Sequence, residues 1–120
     1  MRRDARSFLW DVLRAAHDIR LFVGTLSLED YLGSALVRAA VERKFEIIGE
    51  ALNGLAKSYP EIATRIGDIR YIIAFRNILI HGYATIDDRR VYETIKRQLP
   101  DLELTISELL SDLQRAAENP

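Results

Sequence analysis

The sequence predicts an all-α fold, an antiparallel bundle of four to five helices, and three observations carry that prediction. Apolar residues recur at three- and four-residue spacing along nearly the whole chain. No run alternates with period two for long enough to form a strand. The breaks between periodic stretches are short and hold Gly, Pro, Ser or Asp, which favours antiparallel neighbours. With 120 residues, 48% of them apolar, the chain suits one core and is too short for two, so residues 1–120 read as a single domain.

Each element follows from a local signal. Phe8, Leu9, Val12, Leu13, Ala16, Ile19 and Val23 give a first amphipathic helix, which Gly24 ends by taking a left-handed conformation. Ser27, with Asp30 three residues on, resembles a capping pair opening a long second helix with the stripe Leu36, Ala40, Ile47, Ile48, Ala51, Leu52 and Leu55, ended at Pro60. Residues 61–65 suit a short helical turn, and Gly67-Asp68 starts a third main helix running to His81, which Gly82 breaks. Asp87 or Asp88 caps a fourth segment through Val91, Tyr92, Ile95 and Leu99. Pro100 then kinks it or occupies the first turn of a fifth helix carrying Leu102, Leu104, Ile106, Leu109, Leu110 and Leu113.

Composition narrows the chemistry. The absence of cysteine excludes disulfides and thiolate metal sites. The two histidines, His17 and His81, have no histidine or carboxylate at i+4, so neither a metal nor another cofactor is expected. Asp4, Asp11 and Asp18 interrupt any signal-peptide core and no apolar run approaches the ~20 residues of a membrane span, so a cytoplasmic protein without membrane association is expected. The net charge of −1 gives no overall polyanion-binding field, so a nucleic acid would need a local cluster. Arg2, Arg3 and Arg6 form one candidate, Arg38, Arg43 and Lys44 a second, and Arg89, Arg90, Lys96 and Arg97 a third. Taken singly, each reads first as a solvated helix face. Trp10 and Phe8 read as core or interface anchors and His17 as a surface or boundary residue.

The stretch FRNILIHGY, residues 75–83, holds the most information. On a helical wheel Tyr71, Ile72, Phe75, Ile78 and Leu79 form an arc suited to the core. Arg76, Asn77, Ile80 and His81 group on another side, joined by Ile69 and Ile73. A helix apolar on both sides needs cover on both, and a second subunit supplies it most simply, so a homodimer is expected. In such an interface Arg76 and His81 would be partly desolvated and would call for an anion. Arginine offers a planar fork to phosphate, and histidine as a residue type exchanges a proton near neutral pH. Metal-independent RNA cleavage needs those two capacities. Spacing alone leaves a plainer reading open, in which Arg76 bonds carbonyls or an acid, Asn77 caps locally and His81 finishes the helix.

The residues RNILIHGY, read as R-N-x3-H-x-Y, resemble the signature of HEPN-domain proteins, and specifically of the HepT-like toxins of prokaryotic two-gene toxin–antitoxin modules. FEIIGEAL, residues 45–52, is similar to that family's Glu-Ile-Ile-Gly-Glu-Ala segment on the second helix. IDDRRVYETIKRQLPDL, residues 86–102, resembles the segment after the motif, including its Leu-Pro pair. The resemblance spans most of the chain in the expected order.

It implies a helical homodimer acting as a metal-independent ribonuclease, with Arg76 stabilising the scissile phosphate and His81 as general acid or base. Asn77 would orient the phosphate or the His81 ring, and Glu50 would approach the cleft and hold Arg76 when RNA is absent. The resemblance also implies an antitoxin partner, a small nucleotidyltransferase of the MNT type, with Tyr83 as its adenylylation target. Bulk and negative charge added there would oppose RNA entry. Read from the residues alone, Tyr83 packs over the helix end, Glu50 belongs to the solvent-facing stripe of Glu42, Arg43, Glu46, Asn53 and Lys57, and Gly49 and Gly54 allow close helix approach. Two further functions stay open: a catalytically silent HEPN module that binds a nucleotide or partner protein, and a purely structural helical dimer.

Overall fold

The computed structural model describes residues 3–82 and 86–119. Helices are α1 (Ala5–Val23), α2 (Leu28–Leu32), α3 (Ala35–Ser58), α4 (Pro60–Ala63), α5 (Ile69–His81), α6 (Asp88–Arg97) and α7 (Leu99–Glu118). The described residues contain no strand. Five of these helices are the predicted bundle; α2 and α4 are single turns that fold the connections back onto it. The molecule measures 51 × 28 × 22 Å.

The 24-residue α3 is the spine. Both α1 and α5 pack along it, α7 packs on α1 and α6, and α2 sits on α3 and α6. Phe45, Ile48, Leu52 and Leu55 of α3 meet Leu9, Val12, Ala16 and Ile19 of α1 and Ile72, Phe75 and Leu79 of α5 in one buried cluster, completed by Val91, Leu99, Ile106 and Leu109. Phe45 meets Phe75 edge-on, with centroids 5.2 Å apart, a favoured quadrupole arrangement that fixes α5 against the spine.

Caps decide where helices begin. Asp4 accepts the Arg6 amide at 2.8 Å at the start of α1, and hydrogen bonds from Arg6 lower its carboxyl to about 2. Gly24 ends α1 at φ 53° and ψ −122°; its φ is positive as expected, but ψ lies outside the left-handed helical well. Ser27 does accept from the Asp30 amide, yet it opens only the five-residue α2. The predicted single helix from Ser27 is broken because Ser34, in extended backbone, accepts from Val37 and nucleates α3 separately. Asp87, accepting from the Arg89 and Arg90 amides, is the cap of α6. Pro100 occupies the first turn of α7, where no amide hydrogen is needed.

Three side chains of the predicted apolar stripes, Leu36, Ile78 and Leu104, are exposed, Leu104 at 61%, and so is Trp10, read as a core or interface anchor. Leu36 is 81% exposed because it lies in the first turn of α3, before that helix is covered; Val41 and Phe45 take the buried positions instead. Trp10 is 46% exposed, since the buried strip of α1 runs through Phe8, Leu9 and Val12 and turns Trp10 outward. Ile78 is 44% exposed. The neighbour on that side, α6, is joined to α5 at Tyr71, whose hydroxyl lies 3.0 Å from the Thr94 hydroxyl, one to two turns short of Ile78. His17 is at the surface, as predicted. Among the described residues no helix is long and apolar enough to cross a membrane.

Candidate functional site

The site residues lie on the last two turns of α5, which ends where the Gly82 amide donates to the Ile78 carbonyl at 2.8 Å. At 100° per residue the buried Ile72, Phe75 and Leu79 define the inner face. Arg76 falls at the edge of that face nearest α3. Asn77 and His81 point outward, both exposed, while Ile73 and Ile80 flank them half-buried.

A glycine on the spine sets the position of Arg76. A Cβ at Gly49 would lie 2.2 Å from Arg76 Cβ and 2.6 Å from its Cγ, closer than carbon atoms approach, so α5 crosses α3 with the Arg76 stem in the space a side chain would occupy. The sequence reading had assigned Gly49 to close helix approach. A glycine inside a long helix, at a cost of about 1 kcal/mol relative to alanine, was the signal; that its neighbour is Arg76 was not legible.

With its stem fixed, the guanidinium has few remaining choices. Arg76 Nη1 donates to Asn77 Oδ1 at 3.0 Å. Arg76 Nε is buried and has no hydrogen-bond partner, an unmet need that typically costs 1–3 kcal/mol. Arg76 is in no ion pair among the described residues. Its remaining donors, chiefly on Nη2, are therefore uncommitted while its aliphatic part is held.

The structure brings Arg76 and Asn77 into direct contact and leaves His81 apart from them. The His81 side chain is in no hydrogen bond among the described residues. It lies five residues beyond Arg76, a rise of about 7.5 Å and roughly 140° around the axis. Asn77 bridges the gap: it touches Arg76 on one side and stands a single turn before His81 on the other.

Glu50 points elsewhere. It lines a groove between α1 and α3 with Arg3, Phe8, Asp11 and Gly54, and makes no ion pair with Arg76 within the chain. Farther along α3, Glu42 belongs to a separate cluster in which burial, then Asp88, raises its carboxyl above the ordinary range. Tyr83 lies outside the described residues. No group of three or more His, Cys, Asp or Glu residues suited to a metal occurs among the described residues.

Comparison with known proteins places the chain in a family. The profile of the family described as "Ribonuclease HepT-like" matches residues 12–109, a span that contains α5 whole together with the spine that holds it.

The chain belongs to the HepT-like family.

A Methanocaldococcus jannaschii protein, "Putative RNase MJ1216", is 30% identical over 118 residues, covering 98% of this chain and 97% of its own. The Thermococcus cleftensis "Probable ribonuclease HepT" is 31% identical over 103 residues, 86% of this chain and 93% of its own. A Caldanaerobacter subterraneus relative, "Putative RNase TTE0752", is 31% identical over 105 residues, 88% and 93% of the two chains. No solved structure matches the chain. Membership of the HepT-like family places a ribonuclease fold around the Arg76–Asn77 contact; the roles of individual side chains rest on geometry and chemistry.

Proposed function

We propose that this HepT-like protein is a metal-independent endoribonuclease and the toxin of a toxin–antitoxin pair, with Arg76 and His81 as catalytic residues. The observation that carries this reading is the state of Arg76: its stem is locked over Gly49, one nitrogen is held by Asn77, and no carboxylate among the described residues neutralises it. A cation held in place without a partner suits an anion that arrives and leaves, and it needs little reorganisation when charge develops.

In the reaction the ribose 2′-oxygen attacks the adjacent phosphorus, the bond to the 5′-oxygen breaks, and a 2′,3′-cyclic phosphate remains on the upstream product. Arg76 meets the charge growing on the non-bridging oxygens. His81 takes the 2′-hydroxyl proton or gives one to the departing 5′-oxygen. Because Arg76 and His81 of one chain diverge around α5, two copies packed through Ile69, Ile73 and Ile80 complete each site: an arginine of one faces the histidine of the other across RNA. Asn77 orients the Arg76 fork or the phosphate, and Glu50 reaches the intersubunit cleft rather than its own Arg76.

The partner in this reading is a small nucleotidyltransferase of the MNT type that adenylylates Tyr83, two residues beyond His81 in sequence. AMP added to that tyrosine brings negative charge and bulk that oppose RNA phosphate.

Cleavage of RNA in EDTA by wild type, Arg76→Ala and His81→Ala, with the product ends identified by mass, tests the proposal. Loss of activity in both folded variants and a cyclic phosphate product support it. Equal cleavage by all three, or RNA binding without cleavage by wild type, sinks the catalytic reading; the latter result leaves a silent HEPN module. Incubation with ATP and the partner adds AMP mass to wild type, and unchanged labelling of Tyr83→Phe removes the tyrosine from the scheme.

A further inference from the structure

Charge is unevenly placed in this nearly neutral chain. Residues 69–97 contain six basic and three acidic residues, a net +3, which leaves −4 on the remainder. Within that segment Arg89, Arg90 and Arg97 of α6 gather around one groove of about 360 Å³, whose α5 wall is Tyr71. All three are exposed, and none is in an ion pair among the described residues. Of the two acids lining the groove, Asp87 is occupied in capping α6. Asp87 and Glu93 together offset two of the three guanidinium charges, which leaves the groove with a net positive charge.

The aromatic wall is fixed in place. The Tyr71 hydroxyl pairs with Thr94 at 3.0 Å, one ring face stacks on Phe75 at 6.1 Å and 7°, and the Arg90 guanidinium lies 5.6 Å from the ring centroid. A tyrosine that holds one arginine over its ring, beside two further arginines, suits backbone phosphates. It does not suit an apolar peptide face, because the groove walls are polar or charged apart from that ring.

The groove is also continuous with the site. Tyr71, Ala74, Ile78 and His81 follow one another along a single strip of α5, about 15 Å from end to end, and Ala74, Ile78 and His81 are exposed. A strand whose scissile phosphodiester lies at His81 would follow that strip towards Arg89, Arg90 and Arg97.

We propose that the α6 groove is a second RNA subsite, holding backbone phosphates of single-stranded RNA to one side of the cleaved bond. The proposal rests on the ribonuclease reading and assigns it a directional substrate track. It also accounts for nucleic-acid recognition without an overall positive field: binding is local, through three arginines that repel one another until a phosphate backbone joins them.

The test measures binding of a fluorescein-labelled single-stranded RNA of mixed sequence over a salt series, in a His81→Ala background that prevents cleavage. Replacing Arg89, Arg90 and Arg97 together by alanine is expected to weaken binding about tenfold or more, and to reduce the slope of log K against log salt by about 2, near 0.7 for each lost phosphate contact. Arg97→Gln, conservative in size, is expected to remove about one such contact. With His81 restored, the triple variant raises KM for the same RNA and leaves kcat unchanged. Arg65→Ala, which removes a cation paired with Asp112 elsewhere, serves as the control without effect. Binding and salt slope equal to wild type in the folded triple variant overturn the subsite and give the arginines to a protein partner. Failure of the ribonuclease reading is distinct: wild type leaves RNA uncut, and the binding comparison still decides the groove.

Discussion

Two regions of this molecule treat their cations differently. On α1, α3 and α7 most basic side chains are tied to a carboxylate: Arg20 to Glu103, Lys44 to Asp18, Arg38 to Asp88 and Arg115 to Asp112, with Arg14 and Lys57 as exceptions. On α5 and α6 Arg70, Arg76, Arg89, Arg90, Lys96 and Arg97 are all without such a partner among the described residues. The ion pairs of the first region lie at the surface and each contributes little, about 0–1 kcal/mol. Stability there comes from the buried cluster beneath them. In the second region, the core contribution of α5 narrows to Ile72, Phe75 and Leu79, and the remaining surface keeps its charges uncommitted. One region neutralises its own cations; the other leaves them for the anion proposed above.

Substitutions that separate stability from activity sharpen this comparison, and they rank by the stability each removes. Phe45→Ala, at the junction of spine and α5, is expected to lose about 3–5 kcal/mol of unfolding free energy by urea titration. A loss below about 1.5 kcal/mol would show that α3 is not the element on which both regions depend.

Next come the two spine glycines, one facing each region. Gly49→Ala forces α5 away through Arg76, and Gly54→Ala meets Phe8 of α1, whose Cε1 would lie 2.6 Å from the new Cβ. Each is expected to lower stability by about 1–3 kcal/mol. Only Gly49→Ala is expected to lower RNA cleavage as well, by roughly 10²-fold if Arg76 moves by about an ångström. Equal activity in the two folded variants would break the link between the crossing and the site.

A smaller effect is expected at the start of α1. Asp4→Ala removes the cap of α1 at about 1 kcal/mol. Because the folded carboxyl is lowered from its ordinary 3.8 to about 2, its contribution is full above about pH 4 and fades as pH falls towards 2. The melting temperatures of wild type and variant should therefore converge over that interval. For this exposed group, solvent screening keeps the difference modest. Smallest of all, His81→Ala is expected to change stability by no more than about 0.5 kcal/mol, as for other exposed side chains, while abolishing cleavage. A large loss of stability there would return His81 to a structural role.

Much of the fold was legible because helical periodicity and capping are local. The first helix, the end at Pro60, the α5 boundaries and the Asp87 cap all follow from residues within a few positions of one another. The misplaced residues share a cause. Leu36, Ile78 and Leu104 are apolar and correctly spaced for a buried stripe, but burial depends on whether another helix is present at that height, which spacing along one helix does not encode. The break between α2 and α3 has a different cause: Ser27 and Ser34 both carry cap signals, and Ser34 nucleates a helix of its own rather than continuing the one that Ser27 opens. In the site, the motif pointed to Arg76, Asn77 and His81, while the charge excess of residues 69–97 was legible and lay unused among basic groups read singly as solvated faces.

The sequence by itself determined the helical class, most helix ends, the family and the side chains able to bind phosphate and move a proton, because propensity, capping and motif are properties of neighbours in the chain. Only the tertiary structure decided that Arg76 rests on Gly49 from another helix and that three arginines of α6 share a groove with Tyr71. Those relations depend on where α5 crosses α3 and meets α6. The crossing is set by close packing between residues more than twenty positions apart, and no local pattern specifies it.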